Sequence, residues 1–263
     1  ANAREHQIDS SVVERFRGKV GVLMYASPSI RVDACATIGR LSRAQVFATP
    51  ELERCADECI VYLAQTAKDG ITFDGSGDDA CVLKAYSDSD WGVGHSTSGF
   101  CLMLANACIV HSSKRQACIA MSSTEAEIIA ASACALEVVH TRVLLRELGL
   151  TQDVTPLYVD NSGAVELSRD RKSCHRSRHV DRRYFKVREL HALGELNVHH
   201  IDTADNPADL LTKPLHIDAY RKHRNTLLLK TSAETITKTM VTALSWTQDK
   251  IDKMKDFFVV PNV

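Results

Sequence analysis

The spacing of apolar residues separates a helical first part of the chain from a mixed later part. Apolar positions at helical intervals predict helices over 11–25 and about 30–47. A third helix begins at Thr49 and Pro50, because threonine caps helix ends and proline suits the first helical position. The turn-rich run 74–79 (DGSGDD) closes this part and marks a predicted domain boundary.

Shorter apolar runs separated by turn residues follow this boundary. They predict strands over 82–87, 97–105, 107–112, 117–121, 155–159 and 196–201. Helical patterns cover 124–148, 162–168 and 178–193, and Asn206 with Pro207 opens another short helix. A helical tail is expected over 220–229 and 236–258. This order of strands and helices is typical of an α/β fold.

The predicted organisation therefore has three parts. A helical segment covers 1–78, an α/β domain covers 79–215, and a C-terminal helical tail covers 216–263. The first residues lack the apolar core of a secretory signal, and no apolar run approaches the roughly 18 residues of a membrane-spanning helix. We therefore expect no membrane partner.

Composition adds less than the pattern does. The formal net charge of −1 neither supports nor excludes a nucleic-acid partner. The nine cysteines are odd in number, lie mostly in apolar runs and include no CxxC pair. These features favour reduced, buried thiols over a disulfide framework.

Basic residues are dense between positions 169 and 188, where nine lysines and arginines stand against two aspartates. Such a stretch forms either a phosphate-binding surface or a solvated helix face. The same stretch places His175 and His179 one helical turn apart, which is half of a zinc-site pattern. No second ligand pair with suitable spacing lies near them in the sequence, so zinc is not favoured.

Four acidic residues occupy positions that can meet at one edge of an α/β sheet. Asp88 and Asp160 end predicted strands, whereas Glu127 and Asp209 lie in the first turns of predicted helices. Converging carboxylates suit Mg²⁺, and two ions about 3.5–4 Å apart can hydrolyse a phosphodiester. Taken singly, Glu127 could complete a capping box with Thr124, and Asp209 could favour a helix start.

Around these residues the sequence resembles the RNase H domain of copia-type retrotransposon Pol polyproteins. The matching segments are 86–91 (YSDSDW), 96–100 (STSGF), 112–116 (SSKRQ), 122–127 (SSTEAE), 159–161 (VDN), 175–181 (HRSRHVD) and 208–215 (ADLLTKPL). They occur in the order of the family. The resemblance implies an RNase H-like fold, a mixed five-stranded sheet with flanking helices, preceded here by a small helical segment.

The resemblance also implies a catalytic set. Its acidic positions fall on Asp88, Glu127, Asp160 and Asp209, as catalytic residues and as ligands of two Mg²⁺ ions, for which Mn²⁺ can substitute. Asp88 would contact both ions. The implied reaction is in-line attack of water on the RNA strand of an RNA/DNA hybrid, leaving a 5′-phosphate and a 3′-hydroxyl.

Further residues are candidates for contact with the hybrid. Ser123 and Asn161 adjoin the carboxylates and could reach the sugar 2′-hydroxyls that distinguish RNA from DNA. In the basic stretch, Arg176, Arg178 and His179 are candidates for backbone contacts. The loop 92–95 is shorter than the family usually has, which could change substrate grip.

The first part of the chain resembles the end of the reverse transcriptase that precedes RNase H in these polyproteins. The similar segments are 16–25 and 41–43, and the paired-aspartate strand motif of the polymerase is absent. A reverse transcriptase domain of the same polyprotein is therefore the second expected partner. We expect a cytoplasmic protein, inside a virus-like particle if the element is active, or a nuclear one if a host has adopted it.

Two other function classes stay open. A catalytically silent RNase H-like module could bind nucleic acid or a polymerase partner without cutting. A DNA transposase or integrase shares the fold class, but such enzymes end their acidic set on a late glutamate. Here the last acidic position is Asp209 and the glutamate comes second, which favours the RNase H order.

Overall fold

The computed structural model describes residues 9–28, 30–76, 79–92, 94–169 and 181–229. Its first part contains three helices: α1 (Ser10–Ala26), α2 (Cys35–Arg43) and α3 (Pro50–Gln65). Thr49 caps α3 by accepting a hydrogen bond from the Leu52 amide, and Pro50 is the first residue of α3, as the sequence predicts. Apolar side chains of the three helices form one core around Phe16, Leu41 and Cys55.

Five strands form one mixed sheet. They are β1 (Lys84–Asp90), β2 (Thr97–Leu104), β3 (Ala107–Arg115), β4 (Thr155–Val159) and β5 (Leu196–His200). The order across the sheet is β3-β2-β1-β4-β5. The β1–β2 and β2–β3 pairs are antiparallel, whereas β1–β4 and β4–β5 are parallel. The predicted mixed five-stranded sheet is therefore confirmed.

Helices cover one face of this sheet. They are α4 (Ser123–Glu147), α5 (Ser162–Arg169) and α6 (Asp181–Ala192). Side chains of alternate strand residues, such as Ala85 and Leu157, pack against Ile128 and Val138 of α4 in the main core. Because side chains alternate along a strand, the intervening residues face the other side.

The other face is covered by the first part of the chain and by the segment after β5. That segment contains a 3-10 helix (Pro207–Leu211) and α7 (Ile217–Leu228). Cys101 and Met103 of β2 pack against Val32, Leu211 and Leu227 in a second core on this face. The division of the chain at 78 and 215 stays a prediction, and contacts cross both limits.

A buried group of charged residues joins these parts. Asp33 accepts hydrogen bonds from Arg31 and from Arg224 of α7, with nitrogen–oxygen distances of 2.8 and 3.0 Å, and from the Tyr62 hydroxyl. Burial alone would raise the pKa of Asp33, but the two guanidinium groups outweigh it and lower the pKa. The ion pairs therefore hold α7 against the first part of the chain.

Several predicted elements differ from the structure. Residues 117–121 form a loop instead of a strand, because β3 continues to Arg115 and pairs there with Thr97, the first residue of β2. The helix predicted over 30–47 is a 3-10 turn at Val32–Ala34 followed by the shorter α2. Strand β1 extends past Asp88 to Asp90, so Asp88 lies within the strand. The helix predicted over 236–258 lies outside the described residues.

Helix α4 is long and apolar enough to cross a membrane, contrary to the expectation from the apolar runs. By length and composition it is the one such helix among the described residues, and more than half of its apolar window is buried inside the fold. A core helix passes the same test, so this finding is weak evidence for a membrane span.

Candidate active site

The site is built on β1, where Asp88 is almost fully buried. Its side chain accepts a hydrogen bond from the Thr212 hydroxyl, which follows the 3-10 helix. Opposite Asp88 on β2 stands Gly99, and a Cβ there would lie 2.6 Å from the Thr212 methyl group and 2.8 Å from Leu211 Cβ. The glycine therefore allows the 3-10 helix to approach the strand closely.

The other aspartates reach this point from two further elements. Asp160 follows β4, the parallel neighbour of β1, and accepts a hydrogen bond of 2.8 Å from the Thr203 hydroxyl. Asp209 lies in the 3-10 helix, whose cap Asn206 donates a hydrogen bond of 3.0 Å to the Ser87 carbonyl of β1. One carboxylate oxygen from each of Asp88, Asp160 and Asp209 lies within 4.8 Å of the others.

Glu127 reaches the site from the other face of the sheet. Its Oε1 accepts hydrogen bonds from the Ser89 amide and hydroxyl, at 3.0 and 2.8 Å. Its Oε2 is buried and has no hydrogen-bond partner among the described residues. At the start of α4 the Ser122 hydroxyl accepts a hydrogen bond from the Glu125 amide, and the Glu125 carboxylate accepts one from the Met121 amide. The alternative interpretation of Glu127 as a capping residue is therefore wrong.

Burial and mutual repulsion shape the electrostatics of the four carboxyl groups. Burial and the charges of Asp88 and Asp160 raise the pKa of Glu127 to about 9. Burial and the charge of Asp88 raise the pKa of Asp209 to about 7, although Lys213 opposes the shift. Burial also raises the pKa of Asp88. If all four carboxyl groups were ionised, their negative charge would therefore exceed what the neighbouring basic side chains compensate.

Two basic side chains adjoin the carboxylates. The Lys213 ammonium lies 2.9 Å from Asp209 and 3.8 Å from Asp88. Arg40 of α2, which is buried, donates to the Thr212 carbonyl at 2.5 Å and lies 4.0 Å from Asp90. Arg40 was not predicted from the sequence, because 172 positions separate it from Thr212 and no local pattern links them.

Two of the predicted substrate-contact residues lie at the starts of helices, and their role stays a prediction. Asn161 accepts a hydrogen bond of 2.9 Å from the Ala164 amide and so caps α5, while Ser123 is exposed in the first turn of α4. Thr124 lies 3.5 Å from the Asn161 side chain, which brings the two helix starts together. Arg176, Arg178 and His179, and the alternative zinc ligand His175, lie outside the described residues.

The chain is similar, at TM-scores below 0.5, to solved structures of RNase H proteins. The N-terminal RNase H domain of a Mycobacterium tuberculosis protein has a TM-score of 0.39 at 16% identity, covering 55% of this chain and 96% of that one. RNase H1 of Halobacterium salinarum has a TM-score of 0.38 at 18% identity, covering 49% and 93%. No family model matches the chain.

Sequence relatives are more similar. The retrovirus-related Pol polyprotein from transposon TNT 1-94 of Nicotiana tabacum is 35% identical over 202 residues, 75% of this chain. That from transposon RE1 of Arabidopsis thaliana is 35% identical over 211 residues, 78% of this chain. The chain spans only 15% and 14% of the length of these relatives. The chain is therefore homologous to a part of the retrovirus-related Pol polyproteins of transposons, as its motifs predict.

Proposed function

We propose that the chain is a ribonuclease H that hydrolyses the RNA strand of RNA/DNA hybrids with divalent metal ions. The observation that carries this proposal is the convergence of Asp88, Asp160 and Asp209 from three separate elements to within 4.8 Å. Homology to transposon Pol polyproteins supports the same function. A carboxylate cluster at the ends of parallel strands is also where ligands of α/β folds bind.

The residues present fit Mg²⁺ as the ligand. Oxygen atoms of carboxylates are the ligands that this hard cation prefers, and Mn²⁺ accepts the same donors. The raised pKa values of Glu127 and Asp209 indicate that the cluster lacks positive charge, and Glu127 Oε2 is buried without a hydrogen-bond partner in the described ranges. When bound, two Mg²⁺ ions would supply Lewis-acid activation of water and of the leaving oxygen.

The chain itself orients the carboxylates for this task. Thr212 holds one oxygen of Asp88, and Ser89 holds one oxygen of Glu127, whose other oxygen has no hydrogen-bond partner among the described residues. Lys213 offsets part of the charge of Asp209 at 2.9 Å. In this proposal Asp88, Asp160 and Asp209 are metal ligands, and Glu127 is a fourth ligand from the opposite face of the sheet.

Substrate contacts and partners belong to the same proposal. Ser123 and Asn161 would lie along the RNA strand, and Arg176, Arg178 and His179 would contact the hybrid backbone. A reverse transcriptase domain of the same polyprotein would be the second partner, since the relatives are Pol polyproteins. The protein would act in the cytoplasm or a virus-like particle, or in the nucleus of a host that has adopted it.

The first test is cleavage of an end-labelled RNA/DNA hybrid with Mg²⁺, with and without EDTA. We expect cutting of the RNA strand alone, loss of cutting with EDTA, and little cutting in Ca²⁺, whose looser coordination positions water poorly. The variant Asp160→Asn should lose at least a hundredfold in rate. The matched control is Asp153→Asn, which should cut normally. Asp153 is exposed and lies just before the first residue of β4, whereas Asp160 follows the last.

Each outcome bears on the proposal. Near-normal cutting by Asp160→Asn would contradict the assignment of this aspartate. Hybrid binding without any cutting, in all divalent ions, would instead favour the silent RNase H-like module. Cutting of duplex DNA in preference to hybrid would indicate a different nuclease.

A further inference from the structure

Three arginines surround Thr97 at the end of the sheet that carries the carboxylates. We call Arg40, Arg43 and Arg115 the arginine cluster. Arg43, in the last turn of α2, donates to the Thr97 hydroxyl at 3.3 Å. Arg115, the last residue of β3, stands directly opposite Thr97 in the sheet. Arg40 lies one turn before Arg43 and 4.0 Å from Asp90.

The cluster shares a face of the sheet with Asp88. Asp90 pairs with Thr97, and Thr97 pairs with Arg115, so these three side chains point to one side. Asp88 lies two residues before Asp90 and points to the same side. With strands 4.7–4.9 Å apart, the Arg115 backbone lies about 12 Å from that of Asp88.

Arg43 and Arg115 lie close enough to repel each other, and Asp90 is the carboxylate beside Arg43. This carboxylate lies 4.0 Å from Arg40. Burial lowers the pKa of Arg43, Asp90 opposes this shift, and the charge of Arg115 adds to it. Arg115 and its neighbour Lys114 are exposed. Like charges held together cost stability and therefore point to an anionic partner.

We infer that Arg43 and Arg115 bind a backbone phosphate of the hybrid within about four nucleotides of the cleaved bond. The inference rests on the proposed function of the carboxylate site. It adds a second contact between the protein and the substrate, beside that site. Guanidinium groups match the oxygens of a phosphate in geometry as well as charge. The helical first part of the chain thereby supplies a substrate contact through Arg43, while the sheet supplies Arg115.

The test is binding of a fluorescein-labelled RNA/DNA hybrid to the full chain in Ca²⁺, at salt concentrations from about 50 to 200 mM. Each phosphate contact contributes about 0.9 to the slope of log affinity against log salt. Arg43→Ala and Arg115→Ala should each weaken binding several-fold and lower the slope by up to one. Arg43→Lys and Arg115→Lys keep the charge and should keep most of the slope.

The matched control is Lys84→Ala, which removes a basic residue from the first position of β1, at the opposite end from Asp90. Its slope should equal that of the wild type. Circular dichroism of every variant separates loss of folding from loss of contact, and the exposed Arg115 gives a variant whose fold is not at risk. Equal slopes for wild type, Arg115→Ala and Arg43→Lys,Arg115→Ala would overturn the inference.

Hybrids with one neutral methylphosphonate linkage locate the contact. A neutral linkage at the bound phosphate should weaken binding of the wild type but not of the variant Arg43→Ala,Arg115→Ala. If every position weakens both proteins equally, no phosphate is bound by these arginines. Binding that depends on the arginines without any cleavage would contradict the proposed nuclease while leaving the phosphate contact in place. Cleavage by the wild type, with a salt slope that the arginine variants leave unchanged, would support the proposed nuclease and contradict the phosphate contact.

Discussion

Glu127 differs from the three aspartates of the site in its surroundings. It approaches from α4, and the Ser89 amide and hydroxyl fix one oxygen while the other is buried without a hydrogen-bond partner in the described part of the chain. Burial and repulsion from Asp88 and Asp160 raise its pKa to about 9. A carboxyl group in such a position is destabilising when ionised, unless a cation is bound nearby.

This shift predicts a pH dependence of stability. A group whose pKa is higher in the folded than in the unfolded chain stabilises the fold below the unfolded value, and this contribution is lost as the pH rises through the folded value. In EDTA, the wild type should therefore lose thermal stability relative to Glu127→Gln as the pH rises from about 6 to 8, within the span between the usual and the raised pKa. Thermal unfolding of both proteins at each pH measures this difference.

Addition of Mg²⁺ to the same samples should reduce the pH dependence of the wild type more than that of Glu127→Gln, because a bound cation favours the ionised carboxylates. The exposed Glu166→Gln is the control for loss of a glutamate charge. A constant difference in thermal stability between wild type and Glu127→Gln across this pH range would show that burial and neighbouring charges do not raise the pKa of Glu127.

At the scale of elements, the site depends on how closely the 3-10 helix Pro207–Leu211 packs on β1 and β2. Gly99 makes this possible, since a Cβ there would also lie 3.2 Å from the Ala208 carbonyl. The Asn206 side chain fastens the same helix to β1 through the Ser87 carbonyl. A shift of this helix would move both Asp209 and Thr212.

Gly99→Ala should therefore displace the helix and disturb the carboxylates. Overpacking of this kind costs about 1–3 kcal/mol, and we expect a comparable loss of stability in urea unfolding. The rate of hybrid cleavage at saturating substrate should fall at least tenfold. In the matched control Gly21→Ala, the new Cβ in α1 meets no atom within 4 Å, so stability should rise by up to about 1 kcal/mol. Normal cleavage by Gly99→Ala would mean that the helix tolerates the shift.

Across the whole molecule, a buried ion-pair group connects the first part of the chain with α7. Asp33 pairs with both Arg31 and Arg224, and Arg224 also lies 2.7 Å from Asp69. All of these pairs lie on the side of the sheet opposite α4. Removal of one partner from a buried pair leaves charge without compensation, which costs about 3–5 kcal/mol.

Asp33→Asn should accordingly destabilise the full chain by about this amount, measured by urea unfolding followed by both fluorescence and circular dichroism. The control Asp205→Asn removes the exposed pair with Lys222, whose contribution is at most about 1 kcal/mol. We expect one cooperative transition for the wild type, because the second core joins residues of α3, β2 and α7. An Asp33→Asn protein as stable as Asp205→Asn would show that the buried pairs do not join these parts.

The sequence by itself determined most of the strand and helix order, because period and turn residues are local properties of the chain, and the family resemblance of its motifs indicated the residues of the acidic cluster. Asp88, Asp160 and Asp209 were predicted this way, and the structure brings them together. The loop at 117–121 was mistaken for a strand, since an apolar run cannot show whether a partner strand remains for it.

Only the tertiary structure decided which residues support the site. Thr212 holds Asp88, Arg40 holds Thr212 from 172 positions away, and Arg43 reaches Thr97 across 54. It also decided the direction of the pKa shifts of Glu127 and Asp209, because a pKa depends on burial and on neighbouring charges. Helices and strands have periodic patterns in the sequence. Contacts between distant segments have no such pattern, so only the tertiary structure shows them.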